Sequence, residues 1–392
     1  MEQSQTLVVY GAGNIGRGIV SYLFHRAGWR LLFYRRDTRA LLDLKARGSY
    51  PVKLLGADGQ KTQEITGFDV LTGREELVQA LTQHSLAACC LYPSAFPAAA
   101  EAVAQAYGRR EKRGNTAPLN LLLCCNEPGG REQFCAHLEK ALGKSSSGEW
   151  RNWLGVVPVL VYSVGFPAAD REDPDAVTIT QNGWLEGDAS AVRGLPPQVE
   201  GLIWSQNVEG KLYRKLYLGN LFHTYAALLG AEKGYSHMVQ CYQDPQIRSE
   251  VQRAFFQSER AVLRQWSFDR EEHEKWRAMM LAKMDAPSED TVERVLRDLP
   301  RKLRREDRLT GPALLGVRWR CEYDSVLHAL VLALKRLAQE SPEIRAGLER
   351  NSEETAAEVC GLSRRDAAQR ELLCRIVQKL EKTIKANEEG YP

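Results

Sequence analysis

Gly11-Ala12-Gly13-Asn14-Ile15-Gly16, a G-x-G-x-x-G run, constrains this chain more than any other stretch. It follows an apolar segment, Thr6-Leu7-Val8-Val9-Tyr10, and opens a stretch in which Ile15, Ile19, Tyr22, Leu23 and Ala27 recur at helical spacing. Gly28 stands where such a helix would stop, and Leu31-Leu32-Phe33-Tyr34 reads as a second strand. Strand, glycine turn, helix and strand form the opening unit of a doubly wound parallel sheet. In that setting Gly11 permits the tight turn, Gly13 lets the backbone approach a pyrophosphate, and Gly16 lets the helix pack on the strand. The positive end of the helix then faces the phosphates. With Ala12, Asn14 and Ile15 completing the loop, residues 11–16 are candidate dinucleotide contacts.

The cofactor is written into the end of the second strand. An acidic residue there bonds the ribose hydroxyls of NAD; this chain has Arg35-Arg36 and then Asp37. The arginine pair suits the 2′-phosphate of NADP, so NADP is expected over NAD. The alternative has Arg35 over the adenine or in solvent, with Asp37 reaching the ribose.

Further apolar runs at 85–91 and 119–125 predict strands covered on both faces, with an Ala-rich helix over 98–107 between them and another strand at 156–161. Residues 177–180 and 183–185 read as a hairpin turning at Gln181-Asn182. From about residue 212, long amphipathic helices take over, at 212–230, 245–266, 324–339 and 365–386. The expected architecture is α/β: a Rossmann-type doubly wound N-terminal domain, residues 1–200, and a mostly α-helical C-terminal domain, residues 201–392, with the site in the cleft between them.

Composition narrows the function. The 53 Lys and Arg against 50 Asp and Glu leave a net charge of +3, which excludes a general polyanion binder. Nine cysteines are scattered, and the pairs Cys89-Cys90 and Cys124-Cys125 lie inside apolar runs, so packing is expected of them and no metal site. No apolar run is long enough to cross a bilayer, and the polar start lacks the regions of a signal peptide, so a cytoplasmic protein with no membrane partner is expected.

Three segments carry a resemblance. Residues 10–50 contain GAGNIGRG and ARGSY; Lys215-Leu-Tyr-Leu-Gly-Asn220-Leu-Phe-His223 has the spacing Lys-x4-Asn-x2-His; and residues 291–316 read TVERVLRDLPRKLRREDRLTGPALLG. Together they resemble the polyol-specific long-chain dehydrogenases, the mannitol dehydrogenase family, and within it the mannitol-1-phosphate 5-dehydrogenase branch. The stretch 85–200 matches less well. The resemblance implies NAD(P)-dependent interconversion of a sugar alcohol phosphate and a ketose phosphate, of the mannitol 1-phosphate/fructose 6-phosphate type. It assigns Lys215 as general base in oxidation and acid in reduction, and Asn220 as donor to the substrate oxygen. His223 orients a substrate hydroxyl or holds Lys215, and Arg294 and Lys302 stand at positions that reach the substrate.

The chemistry agrees with these residue types. Oxidising a secondary alcohol needs a base for the hydroxyl proton, a donor to the oxygen and a hydride acceptor. At about 100° per helical residue, Asn220 falls about 140° round from Lys215 and His223 about 80°, one broad arc. A lysine acts as base only when burial or neighbouring cations lower its pKa. Lys211 and Arg214 read as solvated neighbours.

Residues 294–308 hold seven cations: Arg294, Arg297, Arg301, Lys302, Arg304, Arg305 and Arg308. Two readings stand. One is a phosphate cradle; the other is a solvated face neutralised by Glu289, Asp290, Glu293, Asp298, Glu306 and Asp307. Without interleaved aromatics the segment does not read as a nucleic-acid site.

The chain departs from the family at Asn126-Glu127, where acid and amide stand in reversed order, and at Val161-Tyr162-Ser163, which replaces Val-Asp-Arg. Either Asn126 contacts the substrate oxygen, or Glu127 faces it and opposes an oxyanion. These changes keep open a weakly active dinucleotide-binding sensor, or a dehydrogenase of a free polyol or hexuronate. The oligomeric state is open, and the partner expected is a small-molecule sugar phosphate.

Overall fold

The computed structural model describes residues 5–37, 39–56, 59–115, 117–143, 149–163, 165–167, 173, 175–285 and 290–388. The chain forms two compact units, Met1–Glu209 and Gly210–Pro392.

The first unit is built on an eight-stranded sheet. Its strands are β1 (Thr6–Tyr10), β2 (Arg30–Tyr34), β5 (Phe68–Val70), β6 (Leu86–Cys89), β7 (Leu119–Leu123), β8 (Leu154–Tyr162), β11 (Trp184–Asp188) and β12 (Leu202–Ser205). Their order is β12-β11-β8-β7-β6-β1-β2-β5. From β5 to β8 every pairing is parallel, and β11 joins β8 antiparallel. Counted along the sheet alone, the parallel strands run 3-2-1-4-5-6, the doubly wound order, which reverses between β1 and β6.

Alternation along β1 assigns the two faces. Leu7 and Val9 pack with Ile19, Leu23 and Phe24 of the glycine-loop helix. Val8 and Tyr10 pack on the other side with Leu77, Phe96, Val103, Phe134 and Leu138 from three helices, Arg74–Gln83, Phe96–Lys112 and Gly130–Leu142. Both faces are covered, as the uninterrupted apolar runs required.

A second sheet, order β4-β3-β10-β9, comprises β3 (Tyr50–Gly56), β4 (Gly59–Ile65), β9 (Gly165–Pro167) and β10 (Val177–Thr180). Val177 and Ile179 of β10 pack against the glycine-loop helix, and Gly18 permits it: a Cβ there would lie 2.8 Å from Cγ2 of Ile179. The expected hairpin over 177–185 does not form. The turn is present, with Gly183 N donating to Thr180 O at 3.0 Å, but β10 and β11 enter different sheets. The strands diverge because Val177 and Ile179 are drawn to the glycine-loop helix while Leu185 pairs with β8.

The division falls at Glu209/Gly210 where the sequence suggested residue 200, since β12 still pairs in parallel with β11. The second unit is built from helices, of which Leu221–Glu232, Pro245–Gln265, Arg270–Ala282, Thr310–Trp319 and Asp324–Glu340 position the site. Among the described residues no helix is long and apolar enough to cross a membrane.

Gly16 tests the loop packing. A Cβ at this position would run into the Gly11 carbonyl oxygen, a backbone atom that cannot rotate away. Gly16→Ala is expected to destabilise the first unit by about 1–3 kcal/mol, the usual cost of overpacking, read as a lower denaturant midpoint at unchanged slope.

Candidate active site

At the reversal between β1 and β6, the N–H groups of Gly11 and Ala12 donate to Tyr34 O at 2.9 and 3.2 Å. Gly11 has φ +98°, and a Cβ on it would lie 2.5 Å from the Cys90 carbonyl oxygen. Gly13 differs: nothing lies within 4 Å of where its Cβ would be. Packing thus claims Gly11 and Gly16 and leaves Gly13 open, which is the cradle a pyrophosphate needs. Asn14 and Ile15 are half-buried and Ala12 is buried. The helix that follows is not one regular helix. Gly16–Val20 forms a π turn, Ser21–Arg26 is α-helical, and Ser21 Oγ donates to Gly16 O at 2.6 Å.

Because Tyr34 O receives the loop, Arg35 follows directly beside it. Arg35 is half-buried and Arg36 exposed. Asp37 is engaged locally, its Oδ1 accepting from Arg39 N at 3.2 Å at the start of helix Arg39–Arg47.

Asn126 lies just past β7 with φ +49°. Its Nδ2 donates to Val161 O at 3.1 Å and its Oδ1 accepts from Val161 N at 2.9 Å. The amide therefore bridges two strand ends as a backbone group would. Beside it, Tyr162 stacks on Trp184 with ring centroids 4.4 Å apart.

In the second unit, Lys215–Asn220 is a π turn between helices Val208–Arg214 and Leu221–Glu232. Leu221 N–H reaches back five residues to Leu216 O. In such a turn residue i+5 comes round nearly over residue i, so Asn220 sits closer above Lys215 than regular helical spacing gives. His223, three α-helical residues on, falls about 60° short of another full turn. Burial agrees. From Arg214 to Leu228, Lys215, Asn220 and His223 are half-buried, and every other residue is buried. The widened turn thus gathers the three residues on one open edge.

Lys215 has its pKa pushed down to about 7, first by burial and then by the charges of Lys283 and Arg308. The side-chain amide of Asn220 has no hydrogen-bond partner among the described residues. His223 is held at both nitrogens, Nδ1 to Tyr242 Oη at 2.6 Å and Nε2 to Asp290 Oδ2 at 3.1 Å. Burial would raise the Asp290 pKa, but hydrogen bonds from His223 and Arg294 reverse this and hold it well below the usual carboxylate range.

Arg294 is joined to this group, its Nε and terminal nitrogen both donating to Asp290. Lys302 lies elsewhere: it is buried, and its Nζ donates to the carbonyls of Val295 and Arg297 at the end of helix Val292–Leu296. Burial, then Arg308 and Arg301, push its pKa down to about 8. Arg214 is not solvated as its sequence context suggested. It is fully buried, bonded to Glu272 at 2.6 Å and placed over the rings of Phe268 and Trp276 at 4.8 and 4.6 Å. It fixes the helix immediately before Lys215. Tyr242 was not legible as a site residue. Asp290 carried a faint signal, standing four residues before Arg294 on a helical segment.

A mannitol dehydrogenase Rossmann domain matches residues 5–182, and a mannitol dehydrogenase C-terminal domain matches residues 207–339. The chain belongs to the mannitol dehydrogenase family. Among solved structures it is similar to a D-sorbitol dehydrogenase, at 13% identity and TM-score 0.74, covering 100% of this chain and 97% of that one. It is also similar to Pseudomonas fluorescens mannitol 2-dehydrogenase in ternary complex with NAD and D-mannitol, at 16% identity and TM-score 0.65, covering 85% and 80%. A PanE/ApbA family ketopantoate reductase from Ralstonia eutropha JMP134 shares 15% identity at TM-score 0.53, covering 86% and 99%. At these identities the likeness is one of fold.

Asp290→Ala removes the acceptor shared by His223 and Arg294. Its expected cost lies at the low end of the ~1.5–3 kcal/mol of a charge-assisted bond, because Arg294 is half exposed and screened. The folded-state pKa of Asp290 is depressed, so its contribution is present above the unfolded carboxylate pKa and lost as pH falls through the folded one. The stability gap between wild type and variant should therefore be full at pH 7 and narrow below about pH 4. Urea titrations at several pH values measure it.

Proposed function

We propose that this member of the mannitol dehydrogenase family is an NAD(P)-dependent oxidoreductase interconverting a sugar alcohol phosphate and a ketose phosphate, with Lys215 as the proton-transfer group. The observation that carries this reading is a half-buried lysine with its pKa near neutrality, sharing one open edge with Asn220 and His223. The open backbone at Gly13 fits the pyrophosphate of a dinucleotide, as does the family's Rossmann domain. A bound nicotinamide supplies a hydride acceptor in oxidation and a hydride donor in reduction.

The protein supplies the rest. In oxidation the neutral Lys215 Nζ takes the proton of the substrate hydroxyl as the carbon–oxygen double bond forms. In reduction the ammonium returns it. Asn220 Nδ2 donates to the same oxygen and stabilises its developing charge. His223, bonded on both sides, is a positioning residue that holds the edge in shape. Burial lowers the Lys215 pKa and keeps its proton loosely held.

The phosphorylated substrate is favoured by the cations around Lys215, and NADP over NAD by Arg35 beside the loop with Asp37 engaged elsewhere. A second reading, a dehydrogenase of a free polyol or hexuronate, draws support from Arg294 and Lys302, which are already bonded within the protein. Oxidation of NADPH and NADH with fructose 6-phosphate, fructose and hexuronates separates the two.

Lys215→Ala should lower turnover by at least ~10²-fold, the scale of a lost general acid/base, with cofactor affinity little changed. Near-normal turnover in the variant would remove Lys215 from the mechanism. The pH dependence has a definite sign. Oxidation needs the neutral amine, so its rate should rise as pH passes about 7; reduction needs the ammonium and should fall over the same range.

Arg35→Asp tests the cofactor. The wild type should favour NADPH, and the variant should shift toward NADH in kcat/KM, since an acid there bonds the ribose and repels a 2′-phosphate. A wild type favouring NADH by about tenfold, the equivalent of ~1.4 kcal/mol, contradicts the NADP assignment.

A further inference from the structure

We infer that the phosphate of the substrate is held by Lys283 and Arg308, the two cations flanking the π turn that carries Lys215, and not by Arg294 and Lys302. This rests on the reading of a phosphorylated substrate given above.

The two cations to which the family resemblance points are already occupied. Arg294 presents its fork to Asp290, and Lys302 is buried against two carbonyls. Freeing either one would leave a buried or half-buried partner without its hydrogen bonds.

Packing brings another pair to the turn. Gly219 of the turn faces Met280: a Cβ on Gly219 would lie 2.6 Å from Met280 Cε. Met280 belongs to helix Arg270–Ala282, and Lys283 follows it by three residues, about one turn on the same side. On a second element, Gly311 of helix Thr310–Trp319 faces Tyr217 of the turn, with its Cβ position 2.5 Å from Tyr217 Cε1. Arg308 stands three residues before Gly311. Lys283 and Arg308 are thus anchored to two elements that touch the residues between Lys215 and Asn220. Their charges both reach Lys215, which agrees with this placement.

Arg308 Nε donates to Asp307 Oδ1 at 2.8 Å, and Arg301 donates to Asp307 Oδ2 at 3.2 Å and to Asp298 Oδ2 at 2.9 Å. The terminal nitrogens of Arg308 have no hydrogen-bond partner among the described residues, and neither has the exposed Lys283. With Lys215 neutral, Lys283 presents a positive charge and Arg308 the two terminal nitrogens of its guanidinium. A phosphate monoester carries about −1.5 to −2 at pH 7, whereas a hexuronate carboxylate carries one negative charge. Arginine's planar fork matches phosphate oxygens, and lysine adds a point charge.

The test is KM for fructose 6-phosphate and for fructose, with reduced cofactor, in the full-length wild type, Lys283→Met, Arg308→Gln and Arg294→Ala. Lys283 is exposed, so its variant keeps the test if Arg308→Gln fails to fold. Lys283→Met and Arg308→Gln should each raise the ratio of ester KM to free-sugar KM by about tenfold, the scale of one lost charge-assisted bond. Competitive inhibition by inorganic phosphate should weaken in parallel, and Arg294→Ala should leave the ratio within twofold or so of wild type. A wild type that prefers the ester, with a ratio unmoved by Lys283→Met, overturns this assignment and leaves the proposed function standing. A wild type that prefers fructose or a hexuronate overturns the phosphorylated substrate, and this site with it.

Discussion

An α-helix that runs past a functional lysine at regular pitch spreads residues five and eight positions on over an arc of about 140°. The backbone bond from Leu221 N–H to Leu216 O prevents this. By closing a wider ring it admits one extra residue, turns Leu216–Gly219 inward and leaves Lys215, Asn220 and His223 at the open edge. The turn tolerates this because its neighbours are cut to fit, with Gly219 under Met280 and Gly311 under Tyr217. Ser258 Oγ also donates to Tyr217 O at 2.8 Å, satisfying a carbonyl inside the turn. Arg214, clamped between Phe268 and Trp276, fixes the approach from the other end. Packing around one irregular turn therefore decides both the aim of the lysine and its burial, and burial is the first cause of its lowered pKa.

The basic segment does two jobs with similar residues. Lys302 uses its ammonium on the end of a short helix, and Arg301, Arg305 and Arg308 pair with Asp298, Glu306 and Asp307. Those bonds build a frame, in which Arg308 spends only its Nε. Arg294 extends the frame to the site through Asp290 and His223, so a charge at the surface of the helix keeps an imidazole in register. What distinguishes a ligand-binding cation from a structural one here is how many of its donors the protein has already used.

Much of the fold was legible because its physics is local. The glycine run sits between an apolar strand and a helical period, and the strands at 86–89, 119–123 and 154–162 are almost entirely apolar because both faces are covered. The second sheet was hidden for the opposite reason. Residues 59–64 of β4 are largely exposed and polar, so no buried face marks them as a strand. The hairpin expected over 177–185 had correct turn chemistry, but the choice of sheet depends on Gly18 and Ile179, which lie far apart in sequence. At the site, the Lys-x4-Asn-x2-His spacing named three residues that the structure places on one edge, while the i+5 turn that aligns them leaves no mark in composition. The bonding of Asn126 to Val161, and of Lys302 to two carbonyls, is set by tertiary partners that spacing alone does not reveal.

Titration of the lysine side chains tests the central claim most directly. In protein labelled with 13C at lysine Cε, chemical shifts followed from pH 5 to 11 report each amine without assuming a substrate. The site described here predicts one lysine titrating at about 7, absent from the spectrum of Lys215→Ala, and a second at about 8 that remains and belongs to Lys302. A spectrum in which Lys215 titrates with the ordinary lysines, near pH 10.4, would contradict it.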